Sequence, residues 1–216
     1  MIAMIISAVA AAVQGIGGLS EQTADIECVY EYRTSDDKGR EDVYSTILQV
    51  GKRSAKFVDY STFQLDSAIT SGASEEQVEA FRLLEEKKEQ YFDYAIFQNE
   101  PAGNMTVYGT IIPDRYSYTE DSNAMKWTLV AGEKTVCGYL CHKAECEYGG
   151  RKWTAWYSQD IPVSYGPWKL CGLPGLILAA EDSDGANKFE AIILRNGTSA
   201  ITPASDKNIT ATTRDK

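Results

Sequence analysis

The chain has 216 residues, 44% hydrophobic and 24% charged, which fits one globular domain with a sizeable core and leaves little room for a second. Its 21 Lys and Arg against 31 Asp and Glu give a net charge of −10, a sign that repels phosphate backbones and anionic headgroups and so speaks against a nucleic-acid partner. The single histidine, His142, excludes motifs that need two, and there is no G-x-S-x-G elbow, no G-x-x-x-x-G-K-[ST] loop and no G-x-G-x-x-G fingerprint.

In chain order, residues 1–12 read MIAMIISAVAAA, an apolar run with small residues at Ala10 and Ala12, followed by Gln14, Gly15, Gly17 and Gly18. The run is shorter than the roughly 20 apolar residues that span a bilayer, and its pattern is that of a secretory signal and cleavage site. The expected division is a signal and leader at 1–22, one β-rich domain at 23–196 and a loose polar tail at 197–216. The expected location is the periplasm, the periphery of an outer membrane or the exterior, with nothing spanning a membrane after processing.

From Asp25 onward, short runs rich in Tyr, Val, Ile and Thr alternate with Gly, Asp, Asn and Lys clusters, predicting strands. These fall at Ile26–Thr34, Val43–Val50, Ser54–Tyr60, Met105–Pro113, Tyr116–Glu120, Lys126–Val130, Thr135–Tyr148, Arg151–Gln159, Leu176–Glu181 and Lys188–Arg195. One helix is predicted after Ser74. Ser74 and Gln77 form a capping box, Val78, Phe81, Leu84 and Tyr91 follow at helical spacing, and the helix is expected to cover one face of the sheet.

Tyr148-Gly149-Gly150-Arg151 is a two-residue hairpin signal, because glycine accepts the positive φ of the primed turns. It sets a register pairing Cys146 with Trp153, Ala144 with Ala155, Lys143 with Trp156 and His142 with Tyr157. Alternation then assigns Leu140, His142, Ala144, Cys146, Trp153, Ala155 and Tyr157 to an inward face, and puts Lys143 against the Trp156 ring on the wetter one. Cys137, Cys141, His142 and Cys146 resemble a metal cluster on paper, but four strand residues cover about 13 Å, far beyond shared coordination at about 2.3 Å. The same spacing forbids disulfides among Cys137, Cys141 and Cys146, whose α-carbons would have to lie within about 7 Å, so a bridge must run to Cys28 or Cys171.

Asp160–Gly175 reads DIPVSYGPWKLCGLPG, a connection too apolar to lie in water and expected to plug the sheet or lie across its mouth. Leu173-Pro174-Gly175-Leu176 suits a type II turn with Gly175 at positive φ. Gly172-Leu173-Pro174-Gly175-Leu176-Ile177 is also the motif that names the GLPGLI family of exported Gram-negative proteins, and the chain resembles that family over most of Val50–Asp182. Trp127, Gly138-Tyr139, Cys141–Ala144, Gly150-Arg151, Ala155-Trp156-Tyr157, Ile161-Pro162 and Gly166-Pro167 carry the rest of the resemblance, whereas Cys146 and Cys171 fall outside its pattern. The resemblance implies an envelope or periplasmic location and a β-rich fold, and the family brings no established activity with it. The expected architecture is a mainly β, curved antiparallel sheet or open half-barrel of about ten strands with one covering helix.

The first functional reading is a non-catalytic binding protein whose inner sheet face, around His142, Trp153, Tyr157, Leu140 and Trp168, holds an apolar small molecule, lipid, peptide or partner segment. No cofactor or metal is expected. The second is an accessory protein that docks on an outer-membrane transport or secretion complex through a sheet edge or Trp156. The third is an enzyme using Cys171 as a thiol or Asp182 with Asp184 as a carboxylate pair, although Asp182-Ser183-Asp184-Gly185 reads more simply as a turn. A filled inner face favours docking over carrying. Asp66-Ser67-Ala68 resembles a short bacterial O-glycosylation acceptor and reads equally as an ordinary turn.

Overall fold

The structure, a computed structural model, describes residues 22–36, 38–85, 90–111, 113–202 and 209–213. Apart from Gln22, the expected leader lies outside the described residues. The strands are β1 Gln22–Thr23, β2 Ile26–Ser35, β3 Glu41–Val50, β4 Ala55–Asp59, β5 Ala95–Gln98, β6 Asn104–Ile111 and β7 Asp114–Asp121. They continue with β8 Thr128–Val136, β9 Tyr139–Tyr148, β10 Arg151–Ser158, β11 Leu176–Asp182, β12 Asn187–Asn196, β13 Ala200–Ile201 and β14 Ile209–Ala211. Two helices, α1 Tyr60–Thr70 and α2 Glu75–Glu85, lie between β4 and β5.

Twelve strands form one curved, open sheet in the order β14-β7-β6-β5-β4-β3-β2-β12-β11-β10-β9-β8, so the expected mainly β, half-barrel class is observed with more strands than the sequence shows. The sheet does not close into a barrel, leaving β14 and β8 at its ends. Every predicted strand overlaps an observed one. Thr135–Tyr148 is corrected to two strands, because Cys137 and Gly138 take φ of 51° and 84° and make a tight turn between β8 and β9. Strand β5 escapes the sequence reading because four residues carry too little alternation to stand out.

The inner face carries the main core, with Tyr30, Tyr32, Leu48, Phe57, Ile96, Met105, Trp153 and Phe189 all buried. On the other face Phe63 of α1 packs on Val29, Ile47 and Val58, and Lys56 of β4 reaches Asp66 of α1 at 2.7 Å. Helix α1 starts where strand was predicted to continue, because the Asp59 carboxylate accepts from the Ser61 amide (2.9 Å) and hydroxyl (2.7 Å), an N-cap arrangement. Helix α2 has the predicted capping box, with the Ser74 amide donating to Gln77 Oε1 (2.9 Å) and the Gln77 amide to Ser74 Oγ (3.3 Å). It packs chiefly on α1, and none of its described side chains is buried, so the covering role belongs to α1. Tyr91 lies beyond α2, on the chain leading into β5. In the segment expected to be loose, β13 pairs with β1 and β14 pairs in parallel with β7, while Ile201 is buried against Phe97.

Candidate functional site

Strands β9 and β10 pair in the register derived from the glycine pair: Cys146 opposite Trp153, Ala144 opposite Ala155, Lys143 opposite Trp156 and His142 opposite Tyr157. Gly149 and Gly150 have φ of 62° and 75°, both positive as a type I′ turn demands. Trp153, Ala155, Tyr157, Ala144 and Cys146 are buried. Leu140 and His142 correct the expected burial: Leu140 is 48% exposed and His142 is only partly buried, whereas Cys141, expected on the wetter face, is fully buried. Two bulges lie at this end of the hairpin. Ala131 and Gly132 are extra residues in β8 beside the His142–Lys143 step, and Leu178 is extra in β11 opposite Trp156–Tyr157, so the hairpin is twisted from both sides at this end. His142 Nδ1 consequently faces Glu133 Oε1 at 3.6 Å, with its ring 6.1 Å from that of Tyr157. The cation over Trp156 is Lys134, at 5.0 Å, while the expected Lys143 turns to Glu145 at 2.8 Å.

Residues 159–175, between β10 and β11, form a strap across the inner face. Ile161, Leu170, Cys171 and Leu173 are buried, as are Leu176 and Ile177 at the start of β11. The strap is tied to both halves of the sheet. From β5, Gln98 Nε2 donates to the carbonyls of Gly166 (2.8 Å) and Trp168 (2.7 Å). Tyr165 donates its hydroxyl to the Arg53 carbonyl (3.0 Å), and Trp127 donates its indole N–H to that of Cys171 (2.7 Å). Trp168 sits at φ 53°, a backbone region bulky residues rarely occupy, and is held there by its ring contacts with Trp153 and Tyr148 and by its indole N–H, which donates to Tyr94 Oη at 3.1 Å.

The strongest latch is electrostatic. Lys169 Nζ lies 2.8 Å from Glu120 Oε1 and 3.1 Å from Tyr118 Oη, over the Tyr118 ring at 5.0 Å, and Tyr148 donates to Glu120 Oε2 at 2.8 Å. Only 6% of the lysine side chain and 13% of the glutamate side chain meet solvent, so each charge depends on the other for its compensation. Strand β7, which carries Glu120, and strand β9, which ends in Tyr148, lie near opposite ends of the sheet order, and the strap joins them across the concavity. Gln98, Glu120, Tyr94, Tyr118 and Tyr148 were not read from the sequence as part of this region. A signal existed for one of them: Tyr116, Tyr118 and Glu120 alternate onto one strand face, where a carboxylate among aromatics implies a buried partner.

Glycine is required within the strap by space. Gly175 does not take the expected positive φ; a Cβ there would lie on the Ser158 carbonyl, 2.6 Å from its carbon. Positive φ belongs to Gly172, at 94°, so the GLPG segment is not the predicted type II turn.

All five cysteines are free thiols, so neither Cys28 nor Cys171 carries the bridge expected to run to one of them. Cys28 is buried on β2 beside Tyr30, whereas Cys171 is buried on the strap with its sulfur 4.0 Å from the Ser122 carbonyl. Burial pushes the Cys28 thiol up to about 12 and those of Cys146 and Cys171 to about 11. Asp182 is buried and accepts from Arg151 Nη1 (2.6 Å), Asn187 Nδ2 (2.7 Å) and the Asn187 amide (3.1 Å), closing the β11–β12 turn, while Asp184 stays exposed. No group of three His, Cys, Asp or Glu is placed to hold a metal among the described residues, and no described helix is long and apolar enough to cross a membrane.

A family model described as "Protein of unknown function (Porph_ging)" matches residues 145–179, which include the hairpin strand β10, the strap and the Gly172–Ile177 motif. No curated protein matches the chain. Two crystal structures of PNGF-II align with it at a TM-score of 0.57, with 15% and 16% identity, over 89% of this chain and 31% of theirs. The chain thus spans about a third of the length of PNGF-II and shares a fold with that part. A LolA superfamily protein from Nitrosomonas europaea aligns at a TM-score of 0.34 and 10% identity, over 81% of this chain and 86% of that one.

Proposed function

We propose that this chain is an exported, non-catalytic binding protein of the bacterial envelope and a GLPGLI family member, and that it engages a segment of a partner protein. The observation that carries the reading is the filled inner face. Trp153 and Tyr157, the residues expected to grip an apolar ligand, are 2% and 3% exposed, buried in one core with the strap's Leu170 and Leu173. Of the five candidate ligand residues, Trp168, His142 and Leu140 keep accessible surface, which is the part of the expected site left for a partner to meet. The family-model match over the motif supports the family assignment. Recurrence of the fold as a third of a longer chain supports a module that works beside other polypeptide.

The enzyme reading loses its carriers on the same geometry, since the Cys171 thiol is buried with a raised pKa and Asp182 is committed to a turn. Native mass spectrometry of the protein recovered from the envelope of its own host is the test. The expected spectrum shows the bare chain and a stoichiometric polypeptide complex without lipid. An acyl lipid retained by the folded chain would overturn the reading in favour of a carrier.

A further inference from the structure

Helices α1 and α2 interrupt the sheet between β4 and β5, and the two are unequally supported. Phe63 of α1 is buried against Val29, Ile47 and Val58 of the sheet, whereas α2 packs chiefly on α1 and has no buried side chain among its described residues. Val78 and Phe81 of α2 are only half-buried, and Leu83 is 53% exposed. A helix of this length, about 16 Å, gains most of its stability by covering such side chains, so α2 carries an apolar stripe that the described residues leave partly open.

A groove of about 570 Å³ lies between the two helices at their connecting turn, lined by Ala68, Gly72, Ala73, Ala80 and Phe81 among others, with no charged side chain in its described lining. The space over the turn is open, since a Cβ at Gly72 would meet nothing within 4 Å. The rim is different in character. Ile69 of α1 is 49% exposed. On α2, Glu76, Ala80 and Leu83 recur at i, i+4 and i+7 and share one stripe, so a carboxylate and an exposed leucine flank the wall at Ala80. Glu75, Glu76 and Glu79 are all exposed, and among the described residues the cation paired with any of them is Arg82, 3.9 Å from Glu79.

We infer that this groove receives an amphipathic helix of a partner protein, which lays its apolar face on Ala68, Gly72, Ala80 and Phe81 and sets lysine or arginine residues against Glu75 and Glu76. A helix is the shape that the groove between two packed helices accepts, and small residues along the floor let its backbone come close. Charge selects the occupant. A second copy of this chain offering the same face would set glutamate against glutamate, and an anionic lipid surface is repelled by the same carboxylates and by the net charge of −10, whereas a basic segment is drawn in by both. The inference rests on the partner-binding reading and gives it a place and a chemistry.

The test is selection of peptides of about 14 residues, enough for a helix that matches α2, from a random display library on the full chain, followed by amide hydrogen exchange of the chain with a selected peptide bound. The expected peptides carry apolar residues at i, i+3, i+4 and i+7 beside Lys or Arg, and they slow exchange within α1 and α2. They bind about tenfold more weakly to Ala80→Gln, whose side chain fills the groove from an exposed helical position that tolerates glutamine. They bind about threefold more weakly, and with less dependence on salt, to Glu76→Gln. Recovery of no peptide, peptides without the helical apolar spacing or without a basic residue, protection elsewhere in the chain, undiminished binding to either variant, or a dimer of this chain protected at α1 and α2 would each overturn the inference. A polypeptide partner found by native mass spectrometry in those cases would leave the broader reading standing, whereas its absence would remove both.

Discussion

The chain leaves its sheet for two long excursions, residues 60–94 between β4 and β5 and residues 159–175 between β10 and β11, and the two are built in opposite ways. The first is polar, and its two helices lie outside the sheet; of its described side chains Ser61 and Phe63 are buried there, while Phe92, on the way back to β5, is buried in the inner-face core. The second has no regular secondary structure, yet it lies inside the sheet with most of its apolar side chains buried and its backbone groups claimed by Gln98, Trp127 and the sheet. Regular hydrogen bonding therefore does not mark the stable excursion. The strap is held at several points by strands that are distant in the sheet, whereas α2 packs chiefly on α1. An eleven-residue helix has little stability of its own in water.

The largest expected difference between the two excursions lies in their ion pairs. Lys169→Met removes the partner of a glutamate that is almost entirely buried and should cost about 3–5 kcal/mol, seen as a lower urea midpoint. Adding Glu120→Gln to that variant removes the stranded charge while keeping an acceptor for Tyr148, and should restore most of the loss. Lys56→Met cuts the tie between sheet and α1, but Asp66 is 36% exposed and water takes over its solvation, so about 1–2 kcal/mol is expected. Equal losses from the two lysines would end the contrast.

The glycines give the next contrast. Gly175→Ala drives a methyl into the Ser158 carbonyl, which is backbone and cannot swing aside, so about 3 kcal/mol is expected. Gly72→Ala, in the turn between the helices, meets nothing within 4 Å and bears only the conformational cost of φ +81°, about 1 kcal/mol. Both are read from the same urea titration.

These two regions also divide what the sequence discloses. Local rules suffice for the hairpin, because Gly149 and Gly150 fix a turn type and the turn fixes the register. The apolar composition of Asp160–Gly175 likewise suffices to send the strap inward. Contacts that arise from the accumulated curl of twelve strands are out of reach of such rules. Glu120 and Tyr148 meet only because the ends of the sheet come round to the strap, and no spacing in the chain encodes that. The exposure of Leu140 and His142 is likewise out of reach, because alternation along β9 says nothing of the bulges in its neighbours or of where the sheet's cover ends. Helix α1 was missed for a local reason, a cap at Asp59 hidden at the end of a strand-like run. Gly175 was assigned the right rigidity and the wrong cause, close approach taking the place of positive φ.

The smallest effect at neutral pH concerns the thiols, and it tests whether the strap stays shut. Burial holds Cys28, Cys146 and Cys171 in the neutral form, with folded-state values near 12, 11 and 11 against an ordinary 9.0. For acids whose pKa is raised by folding, the stabilising contribution is complete below about pH 9 and is lost as the pH climbs through 11 to 12, so stability should decline on the alkaline side and be flat in these groups near neutrality. A charged thiol reagent at neutral pH should therefore leave Cys28, Cys146 and Cys171 unlabelled in the folded chain. Cys137, half-buried in the β8–β9 turn, should label first, and all five should label once the chain is unfolded in urea. Cys171 is the informative member, because it is the one cysteine on the strap. Its labelling in the folded chain at a rate above that of Cys28 would mean that the strap lifts from the inner face on its own, exposing Trp153 and Tyr157, and the contrast between a fixed inner excursion and a loosely held outer one would no longer hold.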